Sequence, residues 1–297
     1  MTPLAPILRE LLLRGESAVM VAISDARGST PRDKDAAMLV TRDAAHGTIG
    51  GGQLEFHAID VAREMIADGK SARVLDLPLG PHLGQCCGGR VELSLRRADA
   101  DTLAALVARE RREAAARPEV LLFGAGHVGL ALARALALLP LATRLIDDRD
   151  APPPPLPEAV AFERIDDPEP LIAAASPGAA FVVLTHSHAL DYRLAAAALE
   201  RRDAGYVGMI GSATKRARFE RWFLARGGEP AALERFICPI GGKAIRDKRP
   251  EVIAALAAAE IVEHLLASGE KNGSGRRPRL ATVEVEGAKL GRHRNAA

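Results

Sequence analysis

Gly124-Ala125-Gly126-His127-Val128-Gly129 is the stretch on which the reading of this chain turns. It satisfies G-x-G-x-x-G, follows the short apolar run 119–123 directly, and opens the alanine- and leucine-rich segment 126–139. In that strand–turn–helix setting the glycines permit a tight turn and let a phosphate approach the positive end of a helix. Asp147 ends the next apolar run, 142–146, at the position where such folds bind a ribose hydroxyl. Further strand–helix pairs follow at 180–184 with 189–201 and at 206–210 with 212–226, and 252–267 reads as a closing helix. Alternating units of this length predict a parallel, doubly wound sheet.

The grammar upstream is different. Pro3 and an apolar pattern through Leu13 predict a first helix, and 18–24 and 36–41 read as strands around the loop Asp25-Ala26-Arg27-Gly28-Ser29-Thr30-Pro31-Arg32. Gly47-Thr48-Ile49-Gly50-Gly51-Gly52 leads into 53–67, whose apolar residues recur at helical spacing. Then come 73–77, the loop Gln85-Cys86-Cys87-Gly88-Gly89, and 90–95 with strand alternation. The alanine- and arginine-rich segment 98–117 reads as a solvated linking helix, ended by Pro118. The expected fold class is therefore α/β: a small N-terminal α+β domain (1–97), a linking helix (98–117), then a Rossmann-like doubly wound parallel sheet (118–268). Residues 269–297 lose all periodicity and read as a flexible tail.

Composition excludes several function classes. Lys plus Arg is 40 against 38 Asp plus Glu, so no net field exists to hold a polyanion. Aromatic residues make up 3%, too few for a base-stacking surface, and no nucleic-acid partner is expected. Three cysteines, two of them adjacent, do not make a secreted disulfide framework. The segment 4–13 carries Arg9 and Glu10 and no cleavage site follows, so it does not read as an export signal. The runs 130–141 and 252–266 are too short or too charged to span a bilayer. A cytoplasmic protein without a membrane partner is expected.

The chemistry-bearing residues cluster in the loops. Cys86 and Cys87 are neighbours, a spacing that pairs poorly as a disulfide and suits thiolate chemistry or a soft metal, or else two small buried turn residues. Arg27, Ser29, Thr30 and Arg32 supply guanidinium and hydroxyl donors fit for a phosphate or the edge of a pterin-like heterocycle. Gly50, Gly51, Gly52 and Gln53 add backbone N–H groups at a helix start and one amide side chain. Gly124, Gly126 and Gly129 form the phosphate turn, with His127 facing it or capping its helix. His186 and His188, with Asp191, follow a strand at the same sheet edge, where two histidines and an aspartate could ligate a metal or shuttle a proton. Two residues apart, the histidine side chains diverge and a third metal ligand is not evident, so the loop reads as helix-capping and ligand-facing, with His186 toward the ligand. Ser212 reads as a helix N-cap, and Lys215 and Arg216 as groups that neutralise an anion. Cys238 reads as structural. Oxyanion donors, soft sulfur and a phosphate turn together describe a ligand with an anionic tail and a metal–oxo head.

Read in order, these motifs resemble the XdhC/CoxI family, accessory proteins of xanthine dehydrogenase and related molybdenum hydroxylases. The resemblance rests on Gly28-Ser29-Thr30-Pro31-Arg32, the 47–55 glycine stretch, Gln85-Cys86-Cys87-Gly88-Gly89 and Gly124–Gly129. Tyr206-Val207-Gly208-Met209-Ile210-Gly211-Ser212 with Lys215-Arg216, and Cys238-Pro239-Ile240-Gly241, complete it. It implies a chaperone, not itself an enzyme, that holds the molybdenum cofactor (molybdopterin) while a cysteine desulfurase supplies sulfur, then delivers it to apo xanthine dehydrogenase. Under it, Cys86 or Cys87 contacts molybdenum or relays sulfur, Gly126, His127 and Gly129 surround the cofactor phosphate, and Gly51, Gly52 and Gln53 donate to oxo or pterin groups. Gly242 to Arg249 depart from the apolar, glycine-bearing stretch the family leads one to expect. A homodimer is expected for a two-domain clamp. The rival reading is an NAD(P)-dependent oxidoreductase with Asp147 on the ribose of NAD; Asp148 and Arg149 crowd that position.

Overall fold

The structure is a computed structural model, and it describes residues 3–79, 88–150, 155–242 and 247–267. The chain begins with helix α1 (Leu4–Leu13), strands β1 (Val19–Arg27), β2 (Ala37–Val40) and β3 (Ala45–Gly47), helix α2 (Gly52–Asp68), and strands β4 (Ala72–Pro78) and β5 (Arg90–Arg97). The five strands form an antiparallel sheet in the order β3-β2-β1-β5-β4. Strand alternation sends Val19, Val21 and Ile23 of β1 into one core, against Leu54, Ala58, Val61, Ala62 and Met65 of α2. That helical spacing places all five α2 residues on one face.

The opposite face of the sheet carries Leu39 with Met20 and Ala22, and α1 covers it. Helix α3 (Ala100–Ala115) occupies the segment read as a solvated linker, yet it packs onto α1 through Leu103, Leu106 and Val107. Three apolar positions at i, i+3 and i+4 suffice for a narrow contact stripe in an otherwise polar helix. Glu110 of α3 then accepts hydrogen bonds from the Leu4 and Ala5 N–H groups at 2.7 and 2.9 Å. Because α1 has no side-chain cap of its own, this carboxylate supplies both the missing acceptors and the negative charge favoured at a helix N-terminus.

A six-stranded parallel sheet follows, built from β6 (Glu119–Phe123), β7 (Ala142–Asp147), β8 (Val160–Arg164), β9 (Ala180–Val183), β10 (Tyr206–Met209) and β11 (Phe236–Ile237). Their order, β11-β10-β9-β6-β7-β8, reverses direction between β6 and β9, as in a doubly wound dinucleotide-binding fold. Helices α5 (Glu169–Ala174), α6 (His188–Glu200) and α7 (Ala213–Ala225) pack on one face over Leu121, Phe123 and Phe181, with Phe219 of α7 in the same cluster. Helices α4 (His127–Leu136) and α8 (Pro250–Leu266) cover the other face, packing Leu132 and Ala257 over Val120, Leu122 and Val182. Both faces being buried, β6 and β9 read as unbroken apolar runs.

Several elements went unread in the sequence. Strand β8, with Glu163 and Arg164 at its end, lacks an apolar run because it is an edge strand; Arg144 of β7 ties it in by two hydrogen bonds to Glu163 and a third to Glu119. Strands β3 and β11 and helix α5 are too short for periodicity to show. Among the described residues, no helix is long and apolar enough to cross a membrane.

Replacing Glu110 by Ala should lower stability by about 1 kcal/mol, the usual worth of a lost helix cap, read as a shifted midpoint in chemical denaturation. An unchanged midpoint would show that the Glu110 carboxylate contributes nothing as a cap for α1.

Candidate functional site

At the carboxyl edge of the parallel sheet the three motif glycines have different jobs. Gly124 has φ +118°, and a Cβ there would lie 2.3 Å from the Leu184 carbonyl oxygen. A Cβ on Gly129 would lie 1.9 Å from the Gly124 carbonyl oxygen. Both are therefore demanded by packing of β6, β9 and α4. Gly126 is not: its φ is −73°, and nothing stands within 4 Å of where its Cβ would be. It is the N-cap of α4 and offers no side-chain cap, which leaves the positive end of the helix open beside the strand-order reversal.

Asp147 ends β7 with a side chain 5% exposed. Its carboxylate accepts the Ala125 N–H from the glycine turn, the Arg149 N–H at 2.9 Å, and the Arg149 Nε and Nη2 donors at 2.8 Å each. Burial pushes its pKa up, but the Arg149 guanidinium and the two backbone donors outweigh burial and hold it at about 2. The carboxylate expected to meet a ribose is thus already engaged from within the chain.

The neighbouring loops are tied to one another. Thr185 donates its N–H and Oγ1 to Asp191 at 3.0 and 2.7 Å, and Lys215 Nζ donates to the other Asp191 oxygen and to the Ile210 carbonyl. Asp191 is 1% exposed, so this is a buried ion pair joining the β9–α6 and β10–α7 loops. Lys215, expected to neutralise a ligand, has two of its donors turned into the protein. Ser212 caps α7, accepting the Lys215 N–H at 3.2 Å. His127 and His186 are exposed; His186 Nδ1 stands 3.6 Å from Asp148 Oδ1, and Ser187 rather than His188 caps α6. Cys238 is buried beside Gly211, and burial pushes its thiol up to about 11 despite Lys215 and Arg216, so it stays protonated at neutral pH. Among the described residues no group of three or more His, Cys, Asp and Glu side chains is placed to hold a metal ion.

A second cluster forms at one end of the antiparallel sheet. A Cβ on Gly89 would lie 2.3 Å from the Ser29 carbonyl oxygen, and one on Gly50 would lie 2.7 Å from Pro31 Cγ. The loops 27–32 and 47–53 and the Gly88-Gly89 segment therefore stand against one another. Cys86 and Cys87, which precede that segment, lie outside the described residues. Glu55 of α2 organises the glycine loop by accepting from Thr48 Oγ1 at 2.6 Å and from the Ile49 and Gly51 N–H groups at 3.1 Å. Thr48 Oγ1 in turn accepts the Gly50 N–H at 3.0 Å. The N–H groups of Gly50 and Gly51, expected to serve a ligand, are held internally; Gly52 and Gln53 are exposed at the first turn of α2. Arg27 pairs with Asp25 at 2.6 Å, Ser29 is exposed and Thr30 half-buried. Arg32 and Thr48 also line a cavity of about 550 Å³ with Leu106, Arg109 and Arg117 of the α3 region.

The structure thus sorts the expected residues into two groups, and among the described residues no hydrogen bond or ion pair joins one to the other. The contributions of Glu55 and Thr185 were missed from sequence, and Arg149 was read as crowding the ribose position but not as the partner of Asp147; an acid four residues beyond a glycine N-cap was the available signal for Glu55.

A doubly wound sheet with a glycine turn at its reversal point, preceded by an antiparallel sheet carrying a loop cluster, defines a two-part Rossmann protein. Residues 120–261 match the XdhC Rossmann domain, and residues 11–77 match the XdhC and CoxI family. The chain belongs to the XdhC and CoxI family. It is 28% identical over 259 residues to YqeB of Escherichia coli (strain K12), a protein described as uncharacterized, across 82% of this chain and 43% of that one. The chain thus spans less than half the length of that curated relative. A crystal structure from Bacillus halodurans, described as a xanthine dehydrogenase, superposes with a TM-score of 0.70 at 18% identity, covering 91% of this chain and 97% of the other. That likeness shows a shared fold.

Two outcomes follow from the glycines and from Asp147. Gly129→Ala should cost about 2 kcal/mol or more by overpacking against a backbone carbonyl, whereas Gly126→Ala should leave the melting temperature nearly unchanged; equal effects in thermal denaturation would contradict the packing. A carboxyl held near 2 instead of its ordinary 3.8 stabilises the fold above that ordinary value, and the contribution fades as pH falls toward 2. Asp147→Asn should therefore lower stability by about 2 kcal/mol at pH 7, with the gap to wild type narrowing below about pH 4 in denaturant titrations.

Proposed function

We propose that this chain acts in the maturation of a xanthine dehydrogenase, holding the molybdenum cofactor while its sulfur is installed and passing it to the apoenzyme. Family membership supports the association with xanthine dehydrogenase. The observation that carries the cofactor reading is the meeting of three glycine loops at one end of the antiparallel sheet, with the cysteine pair directly preceding one of them.

The donor set fits an oxygen-rich anionic cargo. Ser29 and Thr30 hydroxyls, the Arg32 guanidinium and the exposed first turn of α2 at Gly52 and Gln53 suit oxo and pterin groups. The uncapped end of α4 at Gly126, with His127 beside it, suits a terminal phosphate. Cys86 and Cys87 supply the soft sulfur that molybdenum takes or through which sulfur is relayed. A terminal Mo=S is exchanged for oxo by water, so a carrier that excludes solvent preserves it between the cysteine desulfurase and the dehydrogenase. The protein works in the cytoplasm and pairs as a homodimer in this reading. The NAD(P)-dependent oxidoreductase reading has little support, since Asp147 is engaged by Arg149 and Ala125.

The test is molybdenum and pterin content after reconstitution with isolated molybdenum cofactor and desalting. Wild type should retain both near one per chain, Arg32→Ala should retain several-fold less, and Cys87→Ala should lose molybdenum if its thiolate ligates the metal. Retention of neither by wild type would sink the chaperone reading; full retention by Cys87→Ala would move that cysteine to sulfur relay or structure.

A further inference from the structure

We propose that Arg149 sets the ligand class at the carboxyl edge of the parallel sheet: by engaging Asp147 it closes the ribose position, so the edge refuses nicotinamide dinucleotides although every other part of a dinucleotide-binding turn is present.

The parts present are specific. The strand order reverses between β6 and β9, Gly124 and Gly129 are forced by packing, and Gly126 leaves an open approach to α4. A dinucleotide in such a fold needs one further thing, an acidic acceptor at the end of the second strand for the adenosine ribose hydroxyls. Asp147 occupies that position but faces inward. One oxygen accepts from the Arg149 N–H and Nε, and the other accepts from Ala125 N–H and Arg149 Nη2. A ribose diol would have to displace a bidentate guanidinium, the strongest kind of carboxylate partner, from a side chain almost without solvent contact. For a 2′-phosphate the Nε/Nη2 fork of Arg149 is already taken by Asp147, and only the outward Nη donors remain.

Arg149 itself is 46% exposed, so its side chain can be removed without opening a core. Removing it frees part of the Asp147 carboxylate while leaving the Ala125 contact that positions it. What the wild-type edge excludes is a ligand that needs the Asp147 carboxylate for a ribose diol. This inference rests on the edge being a ligand site; it does not need the cargo to be molybdenum cofactor.

The test is titration of NADH and NADPH by fluorescence into wild type, Arg149→Ala, Arg149→Met and the double variant Arg149→Ala/Asp147→Asn, with thermal denaturation of each as a check on folding. Wild type should show no saturation with either dinucleotide. Arg149→Ala should bind NADH at least about tenfold more tightly, the worth of one hydrogen bond to a charged group. Arg149→Met, which keeps the apolar stem, should behave alike, and the double variant should lose the gain. Micromolar binding of either dinucleotide by wild type overturns the proposal. So does a folded Arg149→Ala or Arg149→Met that gains nothing, or a gain that survives the Asp147→Asn change. The chaperone reading is settled separately by molybdenum content, so the failure of one is distinguishable from the failure of the other.

Discussion

Asp147 accepts the Ala125 N–H where the glycine turn leaves β6, and the geometry of the parallel-sheet edge depends on that contact. It pins the end of β7 to the β6–α4 turn from below while Gly124 presses against the Leu184 carbonyl from the side of β9. Gly129 then brings α4 down onto the Gly124 carbonyl. Three strands and one helix are located by a carboxylate and two missing methyl groups. Arg149 completes the arrangement by balancing the charge of Asp147, without which a carboxylate so nearly buried would be costly.

The same device recurs wherever a loop must stand still. Glu55 gathers Thr48, Ile49 and Gly51; Asp191 gathers Thr185 and Lys215; Glu110 receives the first N–H groups of α1. In each case an acid on one element accepts hydrogen bonds from another segment's backbone or side chains. Backbone donors lose little entropy when they are engaged, and loops fixed this way keep their remaining donors oriented before any ligand arrives. The cost is that several groups which read as ligand contacts are diverted to holding the scaffold, as with the N–H groups of Gly50 and Gly51.

The fold was legible because its signals are local. A G-x-G-x-x-G between an apolar run and a helix, followed by alternating units, leaves few topologies, and β6, β7, β9 and β10 lie where periodicity puts them. Edge strand β8 and two-residue β11 were invisible because neither has enough apolar positions to establish a period. Helix α3 was misjudged as solvated because alanine and arginine dilute the stripe of Leu103, Leu106 and Val107. The candidate site was legible by residue type but not by allegiance. Sequence shows that Asp147 is an acid at the right strand end; it cannot show that the donor two residues later folds back onto it. The same holds for Lys215, whose partner Asp191 is 24 residues away in the chain and reaches it only through the sheet.

Two of the acids at the parallel-sheet edge are matched by cations, Asp147 by Arg149 and Asp191 by Lys215. What the edge offers an anion is the α4 terminus at Gly126, and an exposed helix end contributes only about 0.3–1 kcal/mol toward it. A phosphate held there alone would dissociate readily. Strong retention of a cargo therefore has to come from the loop cluster of the antiparallel sheet, where Arg32 has no ion-pair partner among the described residues and hydroxyls and exposed helix-turn N–H groups accompany it. Under the proposed function, handover to an acceptor protein then requires competition at that one cluster of loops, which an acceptor can meet without prying apart the buried ion pairs that hold the parallel-sheet edge in shape.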